Sequence, residues 1–272
     1  MSRNVKFGPL TNRLVHEALW EDPYPAWQGY ANECESLLGF LRANGELGRF
    51  WPRLCGSRRT QRDEALNEVR VAYLLNSIGY PVVTWEPTDQ APYNVEFAVS
   101  IGQGRNAMVE VKSPGWESEL SEEERSQGRT KRDKYIGIEA RAAGPLEVIR
   151  RTVTKAVRKF TGSCASLIVI SDDCFVSLGE WGWGPIKMAL TQQSVAYGPG
   201  LFHDPTYATV GGVCLLRVSR VTEGGVQYSS LCLPNENALP AASLPADMVA
   251  KLCTVPVEPV PHLMEQGSRG RF

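Results

Sequence analysis

Three charged side chains, Glu96, Glu110 and Lys112, stand in two short segments whose spacing could bring them together. Apolar and polar residues alternate from Asn94 to Ile101, and they alternate again from Met108 to Lys112. A period of two predicts strands, because successive side chains of a strand point to opposite faces of the sheet. The segments are joined by a glycine-rich stretch typical of a tight turn. The sequence therefore predicts a hairpin that places Glu96 beside Glu110 and Lys112.

The same alternation predicts the chemistry of each face of the hairpin. The apolar face is expected to contain Val95, Phe97, Val99, Ile101, Val109 and Val111. The charged side chains then share the other face, although acids are costly on a partly buried strand. Two carboxylates at this spacing can hold a hard divalent cation through their oxygens, and a lysine can position or activate a water molecule. The pattern therefore predicts a site for a metal ion and a reactive water.

The pattern Glu96…Glu110-Val111-Lys112 resembles the PD-(D/E)xK nuclease superfamily, which has the restriction-endonuclease-like fold. The resemblance implies a metal-dependent phosphodiesterase with Mg²⁺ or Mn²⁺ as cofactor. It would be a nuclease, and DNA is its expected substrate. It implies that Glu96 and Glu110 bind the metal and that the backbone carbonyl of Val111 is an extra ligand. Lys112 would orient the attacking water and stabilise its hydroxide form.

The resemblance also implies a helix before the hairpin and another after it. The apolar spacing from Gln61 to Ile78 predicts the first helix, and Gly79 is a typical helix end. In the family this helix points a glutamate at the metal, which makes Glu68 a catalytic and metal-binding candidate. The second helix is predicted from Pro145 to Phe160. In similar nucleases this helix can place a Lys or Gln near the scissile phosphate, and Lys155 is the candidate for that role.

One position departs from the family pattern. The first acid of the family is most often Asp soon after a proline, whereas here Pro92 is followed by Tyr93, Asn94, Val95 and Glu96. Either Glu96 takes the role of that acid, or Asn94 occupies its place and the site is weakened or inactive. The second case defines an alternative function, a protein of the same fold that binds nucleic acid or a protein partner without cutting. A structural protein with a chance Glu-x-Lys sequence is a further alternative.

Basic residues in three regions are candidates for phosphate contacts, because Arg and Lys bind phosphate oxygens. They lie before and at the start of the first predicted helix, in a charge-rich segment at 117–134, and on the polar face of the second helix. The predicted nucleic-acid contacts are Arg58, Arg59, Arg62, Arg129, Lys131, Arg132, Lys134, Arg151 and Lys159. Solvated surface is the first interpretation of each group, a loop or short helix in the case of 117–134. The alternative for that segment is a flap over the site that orders on substrate.

The composition limits the function classes that need to be considered. The 272 residues have a net charge of -1, so nucleic-acid binding has to use local patches rather than a global basic field. The seven cysteines are scattered without a CxxC motif, which indicates neither a disulfide framework nor a zinc site. No apolar run approaches membrane-spanning length, and the N-terminus lacks a signal-peptide core. We expect a soluble cytoplasmic protein with no membrane partner.

The order of the predicted elements favours an α/β fold with a mixed sheet of about five strands flanked by helices. An N-terminal helical extension is expected at 1–60 and the nuclease-like core at 61–190. A C-terminal β element at 191–254 is expected to pack on the core, and a disordered tail is expected at 255–272. A homodimer would suit a nuclease that cuts both strands of a duplex.

Overall fold

The computed structural model describes seven ranges of the chain, namely residues 5–19, 28–57, 59–87, 94–113, 145–172, 183–192 and 198–253. The α-helices in these ranges are α1 (Pro9–Glu17), α2 (Gln28–Ala43), α3 (Leu47–Cys55), α4 (Arg59–Ser77), α5 (Pro145–Ala156), α6 (Trp183–Leu190) and α7 (Ala246–Cys253). The charge-rich segment at 117–134, with its alternative interpretation as a flap, and the predicted tail at 255–272 lie outside the described residues. No helix in the described ranges is both long enough and apolar enough to cross a bilayer.

The described strands form one mixed sheet in sequence order. They are β1 (Val82–Trp85), β2 (Phe97–Ser100), β3 (Asn106–Lys112), β4 (Ala165–Asp172), β5 (Gly212–Thr222) and β6 (Gly225–Pro234). The pairs β3–β4 and β4–β5 are parallel, and the other neighbours are antiparallel. The sheet has six described strands rather than about five, because the β5–β6 hairpin pairs with β4 and extends the same sheet.

Helices cover both faces of this sheet, which confirms the predicted α/β class. On one face α1 to α4 and α7 enclose a core that includes Phe97, Val109 and Leu167. On the other face α5 and α6 enclose a second core that includes Met108 and Ile168. Neighbouring residues of β3 and β4 thus enter different cores, as the alternation of side chains along a strand requires.

The elements around the hairpin follow the predicted order of helix, strand, hairpin, helix and strand. In the chain these elements are α4, β1, the hairpin β2–β3, α5 and β4. A crossover is needed between β3 and β4 because parallel neighbours cannot be joined by a tight turn, and α5 lies within that connection. The crossover brings the end of α5 back over β3, where the candidate acids lie.

The predicted face of Val95 is wrong. β2 begins at Phe97, and the chain bends at Glu96, so the period of two does not extend back to Val95. Val95 is buried with Ala98 and Met108 in the core under α5 and α6, whereas Phe97 is buried on the opposite face. The predicted hairpin itself is confirmed, with Phe97 paired to Val109 and Ser100 to Asn106.

Two glycines of α2 provide a matched test of how closely this helix approaches the β5–β6 hairpin. A Cβ at Gly29 would lie 2.1 Å from the carbonyl oxygen of Thr222 and 2.8 Å from that of Gly225. A Cβ at Gly39 would have no described atom within 4 Å. We expect Gly29→Ala to lower the free energy of unfolding by about 1–3 kcal/mol, because backbone has to move. Gly39→Ala should raise it by about 0.5–1 kcal/mol.

Urea unfolding of both variants beside the wild-type chain measures the difference. Equal effects of the two substitutions would contradict the close contact between α2 and the hairpin.

Candidate active site

β3 positions Glu110 and Lys112 on the same face of the sheet, as predicted. Glu110 follows Met108 by two residues and points into the same core region, where it is fully buried, with 0% relative exposure. The ammonium of Lys112 lies 2.5 Å from Oε1 of Glu110, and the lysine side chain is 30% exposed. A buried carboxylate is therefore held by a lysine that reaches solvent.

A second lysine, Lys159, reaches the same carboxylate from the turn after α5. The helix continues there as a 3-10 turn from Val157 to Lys159. The ammonium of Lys159 lies 2.8 Å from Oε1 of Glu110 and donates a hydrogen bond of 3.0 Å to Oε2. Lys155, the lysine predicted for this role, is exposed one turn earlier. The structure thus brings Lys159, rather than Lys155, to the acids.

Glu96 lies directly beside Glu110 at the open end of the hairpin. It is one residue beyond the ladder pair Phe97–Val109, and its Oε1 lies 3.6 Å from the ammonium of Lys159. Its negative charge raises the pKa of both Glu110 and Glu68. Glu96 is half-buried, whereas Asn94 is exposed. The acid near Glu110 and Lys159 is therefore Glu96.

Glu68 is buried on α4, which packs on the opposite face of the sheet from Lys159. Both of its carboxylate oxygens accept hydrogen bonds from Arg53 of α3, at 2.6 and 2.5 Å. Burial raises the pKa of Glu68, and the guanidinium of Arg53 opposes that rise. Arg53 in turn has a raised pKa because of its hydrogen bonds to Glu68. The charge of Glu96 thus acts on Glu68, but the carboxylate of Glu68 is bound by Arg53.

The carboxylate of Glu110 is the most constrained group of this cluster. Burial raises its pKa, Lys112 lowers it, and the charge of Glu96 raises it again. Its Oε1 lies within ion-pair distance of both lysines but accepts no well-aligned hydrogen bond from the described residues. Oε1 is thus already in contact with two ammonium groups, and another ligand at this oxygen would have to replace one of them.

The donors available to a metal are all oxygen atoms, which suits Mg²⁺ or Mn²⁺. Val111, whose carbonyl is a predicted ligand, is buried between Glu110 and Lys112 and pairs in register with Val169. Within the described ranges no three or more His, Cys, Asp or Glu side chains are grouped so that they could hold a metal. Glu96 and Glu110 are therefore the carboxylates that stand together, and Glu68 does not join them as a third ligand in this arrangement.

The predicted phosphate contacts are only partly covered by the described residues. Arg62 is buried, and its guanidinium contacts Asp63 at 2.8 Å, so its position is that of a structural ion pair rather than a surface contact. Arg151 is exposed on α5, and Lys159 lies in the acidic cluster. The side chain of Arg59 is not described, although its backbone begins α4. The predicted contacts outside the described residues are Arg58, Arg129, Lys131, Arg132 and Lys134.

A buried polar network adjoins the site, and no sequence motif predicts it. Asn67, next to Glu68 on α4, donates to the hydroxyl of Ser113 at 2.8 Å, directly after Lys112. The amide oxygen of Asn67 accepts from Ser171 at the end of β4, at 3.0 Å, and from Arg70. Asn67 therefore ties α4 to the ends of the two parallel strands that flank the site.

Comparison of the chain with models of known protein families, with curated proteins and with solved structures finds no match. The interpretation of the site therefore depends on its own residues and geometry.

Proposed function

We propose that the chain is a divalent-metal-dependent phosphodiesterase. In this proposal it is a nuclease of the PD-(D/E)xK type with DNA as its substrate. The observation that carries this proposal is the fully buried Glu110, which meets Glu96, Lys112 and Lys159 at the end of one hairpin. Burying a carboxylate is costly, and a position used only for packing would be filled by an apolar side chain. Perturbed acids beside lysines are typical of catalytic sites.

In this proposal Glu96 and Glu110 hold Mg²⁺ or Mn²⁺, and the carbonyl of Val111 is a further ligand candidate, whereas Glu68 stays bound to Arg53. When bound, the metal would lower the pKa of a water molecule and neutralise charge on the phosphate. Lys112 orients that water and stabilises its hydroxide form through its own positive charge. Two ammonium groups lie within 2.8 Å of Oε1 of Glu110, which supports the fit of a cation at this oxygen.

Substrate binding is proposed to use basic side chains around this hairpin. Arg151 is exposed on α5, the helix that leads into Lys159, and is the described candidate for a phosphate contact. Arg58, Arg59, Arg129, Lys131, Arg132 and Lys134 remain candidates from the sequence alone. A homodimer remains a proposal for cleavage of both strands.

A second candidate function is a protein of this kind that binds nucleic acid or a protein partner without cutting. The observation that favours it is the way the acids are already paired, because Arg53 engages both oxygens of Glu68 and two lysines engage Glu110. Such pairing neutralises the cluster without a metal. It would suit a site whose acids contribute to the stability of the fold and take no part in catalysis.

Cleavage of a panel of plasmid, linear duplex, single-stranded DNA and RNA tests the two candidates, with Mg²⁺, Mn²⁺ or EDTA present. We expect metal-dependent cleavage by the wild-type chain and a loss of about a hundredfold or more in Lys112→Ala, as for other residues that handle a reacting proton or water. Lys187→Ala, which removes an exposed lysine of α6, is the matched control. No cleavage of any substrate by the wild-type chain would favour the binder.

A further inference from the structure

The ammonium of Lys159 lies between the two carboxylates that are proposed to hold the metal. It contacts both oxygens of Glu110, at 2.8 and 3.0 Å, and approaches Oε1 of Glu96 to 3.6 Å. The ammonium of Lys112, by comparison, forms an ion pair of 2.5 Å with Oε1 of Glu110. Lys159 is thus the side chain that bridges Glu96 and Glu110.

The charges of the six side chains in ion-pair contact balance as a result. Glu68, Glu96 and Glu110 carry the negative charges, and Arg53, Lys112 and Lys159 carry the positive ones. A divalent cation added to this set would leave excess positive charge beside Glu110, which is fully buried. Close charges of like sign in a partly desolvated site repel strongly. A metal and the ammonium of Lys159 therefore compete for the same oxygens.

The ammonium of Lys159 can also move away from the two carboxylates. Its side chain is 26% exposed and has a flexible four-carbon stem, so its ammonium can turn toward water without unfolding the turn that carries it. Arg53 differs from it, because a planar guanidinium bound to both oxygens of a carboxylate is held by its geometry. Lys112 is also a flexible lysine, with a side chain 30% exposed, but its ion pair is with Glu110. Of these two movable cations, Lys159 is the one that bridges the two proposed ligands.

We propose that Lys159 is the resident counter-ion of the Glu96–Glu110 pair and that a divalent metal binds these carboxylates by displacing its ammonium. The inference depends on the proposed metal site and adds to it a regulated exchange between an internal and an external cation. It assigns Lys159 a role in metal affinity, whether or not the lysine also contacts substrate. The displaced ammonium stays near the site on its stem.

Calorimetric titration with Mn²⁺ tests this exchange in Lys159→Gln, Lys159→Arg and Arg158→Gln beside the wild-type chain. Lys159→Gln should bind Mn²⁺ about tenfold more tightly or better, because a close competing charge is lost. Lys159→Arg keeps the charge and should bind no more tightly than wild type. Arg158→Gln removes an exposed positive charge one residue away and should stay near wild type.

Thermal unfolding in EDTA provides a readout that needs no metal. Lys159→Gln should have a lower melting temperature than wild type without metal, and saturating Mn²⁺ should raise it by more than it raises that of wild type. Equal or weaker Mn²⁺ binding by Lys159→Gln would overturn the counter-ion role even if wild type binds the metal and cuts DNA. Absence of Mn²⁺ binding in every variant would overturn the metal site and the exchange together. Tighter binding in Lys159→Gln without cleavage of any substrate would leave the exchange standing and overturn only the nuclease.

Discussion

Glu110→Gln is expected to abolish metal-dependent cleavage and, at neutral pH, to make the metal-free protein more stable than wild type. The loss of cleavage should be at least about a thousandfold, because the variant lacks a proposed ligand of the metal that would stabilise the transition state. The gain in stability follows from the burial of Glu110, which raises the pKa of its carboxyl and so disfavours the charged form in the folded protein. A neutral amide of the same shape does not have that cost.

The sign of the pH dependence distinguishes this account from a simple loss of ion pairs. The pKa of Glu110 in the folded protein lies above its ordinary value of 4.5. Between these two values the folded protein binds more protons than the unfolded chain, so wild-type stability falls as the pH rises through that window. Glu110→Gln has no such titration. The stability gap should therefore be small below about pH 4.5 and largest above the raised pKa.

Urea unfolding in EDTA at a series of pH values measures the gap, and repetition with Mn²⁺ should stabilise wild type but not Glu110→Gln. Glu236→Gln replaces an exposed glutamate on a loop and serves as the control for removal of a surface charge. If Glu110→Gln were less stable than wild type throughout the pH series, the ion pairs with Lys112 and Lys159 would outweigh the burial of the charge. That outcome would favour an acid kept for stability over an acid kept for metal binding.

Local sequence patterns were sufficient to predict the β2–β3 hairpin. They were insufficient to predict the elements that pack or pair beside it. The alternation in β2 and β3 and the glycines between them act over neighbouring residues, so the pairing of Phe97 with Val109 follows from the sequence. The bend at Glu96 interrupts the alternation, which is why Val95 enters the opposite core. The sheet exceeds the expected count of strands because a distant hairpin, β5–β6, pairs with β4.

The cations of the site illustrate the same limit. Lys155 and Lys159 both lie on the polar face of a regular α-helix pattern, and the change to a 3-10 turn at Val157 alters the angle at which the later lysine leaves the helix. Arg53 comes from a different helix, α3, and its pairing with Glu68 depends on how α3 packs against α4. Such tertiary contacts have no periodic signal, although a basic residue beside a buried stripe could have nominated Lys159 as readily as Lys155.

Glu33→Ala is expected to lower the free energy of unfolding by about 3–5 kcal/mol, because it leaves a buried guanidinium without its carboxylate. Arg70 of α4 is 2% exposed, and its Nε donates to Oε1 of Glu33 on α2 at 2.7 Å. The hydroxyl of Tyr228 on β6 donates to the same oxygen, and burial raises the pKa of this tyrosine. The pair therefore joins two helices and an edge strand inside the larger core.

A double-mutant cycle separates the ion pair from its surroundings. The cycle consists of Arg70→Met, Glu33→Leu and the double variant. The double variant removes both charges and should cost less than Glu33→Leu alone, since replacing a buried pair by apolar side chains is often close to neutral. Arg13→Gln, which breaks an exposed pair with Glu17 on α1, should have only a small effect. If the double variant were as unstable as the sum of the single variants, the two charges would act independently, against the direct contact.

The Glu33–Arg70 ion pair is connected to the candidate active site through Asn67. Its amide oxygen accepts from Arg70, and its amide nitrogen holds Ser113, the residue after Lys112. Without the carboxylate of Glu33, the guanidinium of Arg70 is expected to shift toward another acceptor. Because Arg70 also donates to Asn67, that shift would change the orientation of Asn67. Glu33→Ala should therefore reduce cleavage even at temperatures where the variant is fully folded. Gly29→Ala, which lies one turn before Glu33 on α2 and leaves the ion pair with Arg70 in place, should reduce stability alone. Cleavage rates of the two variants, compared at equal folded fractions, measure how far this buried network holds Lys112 in place.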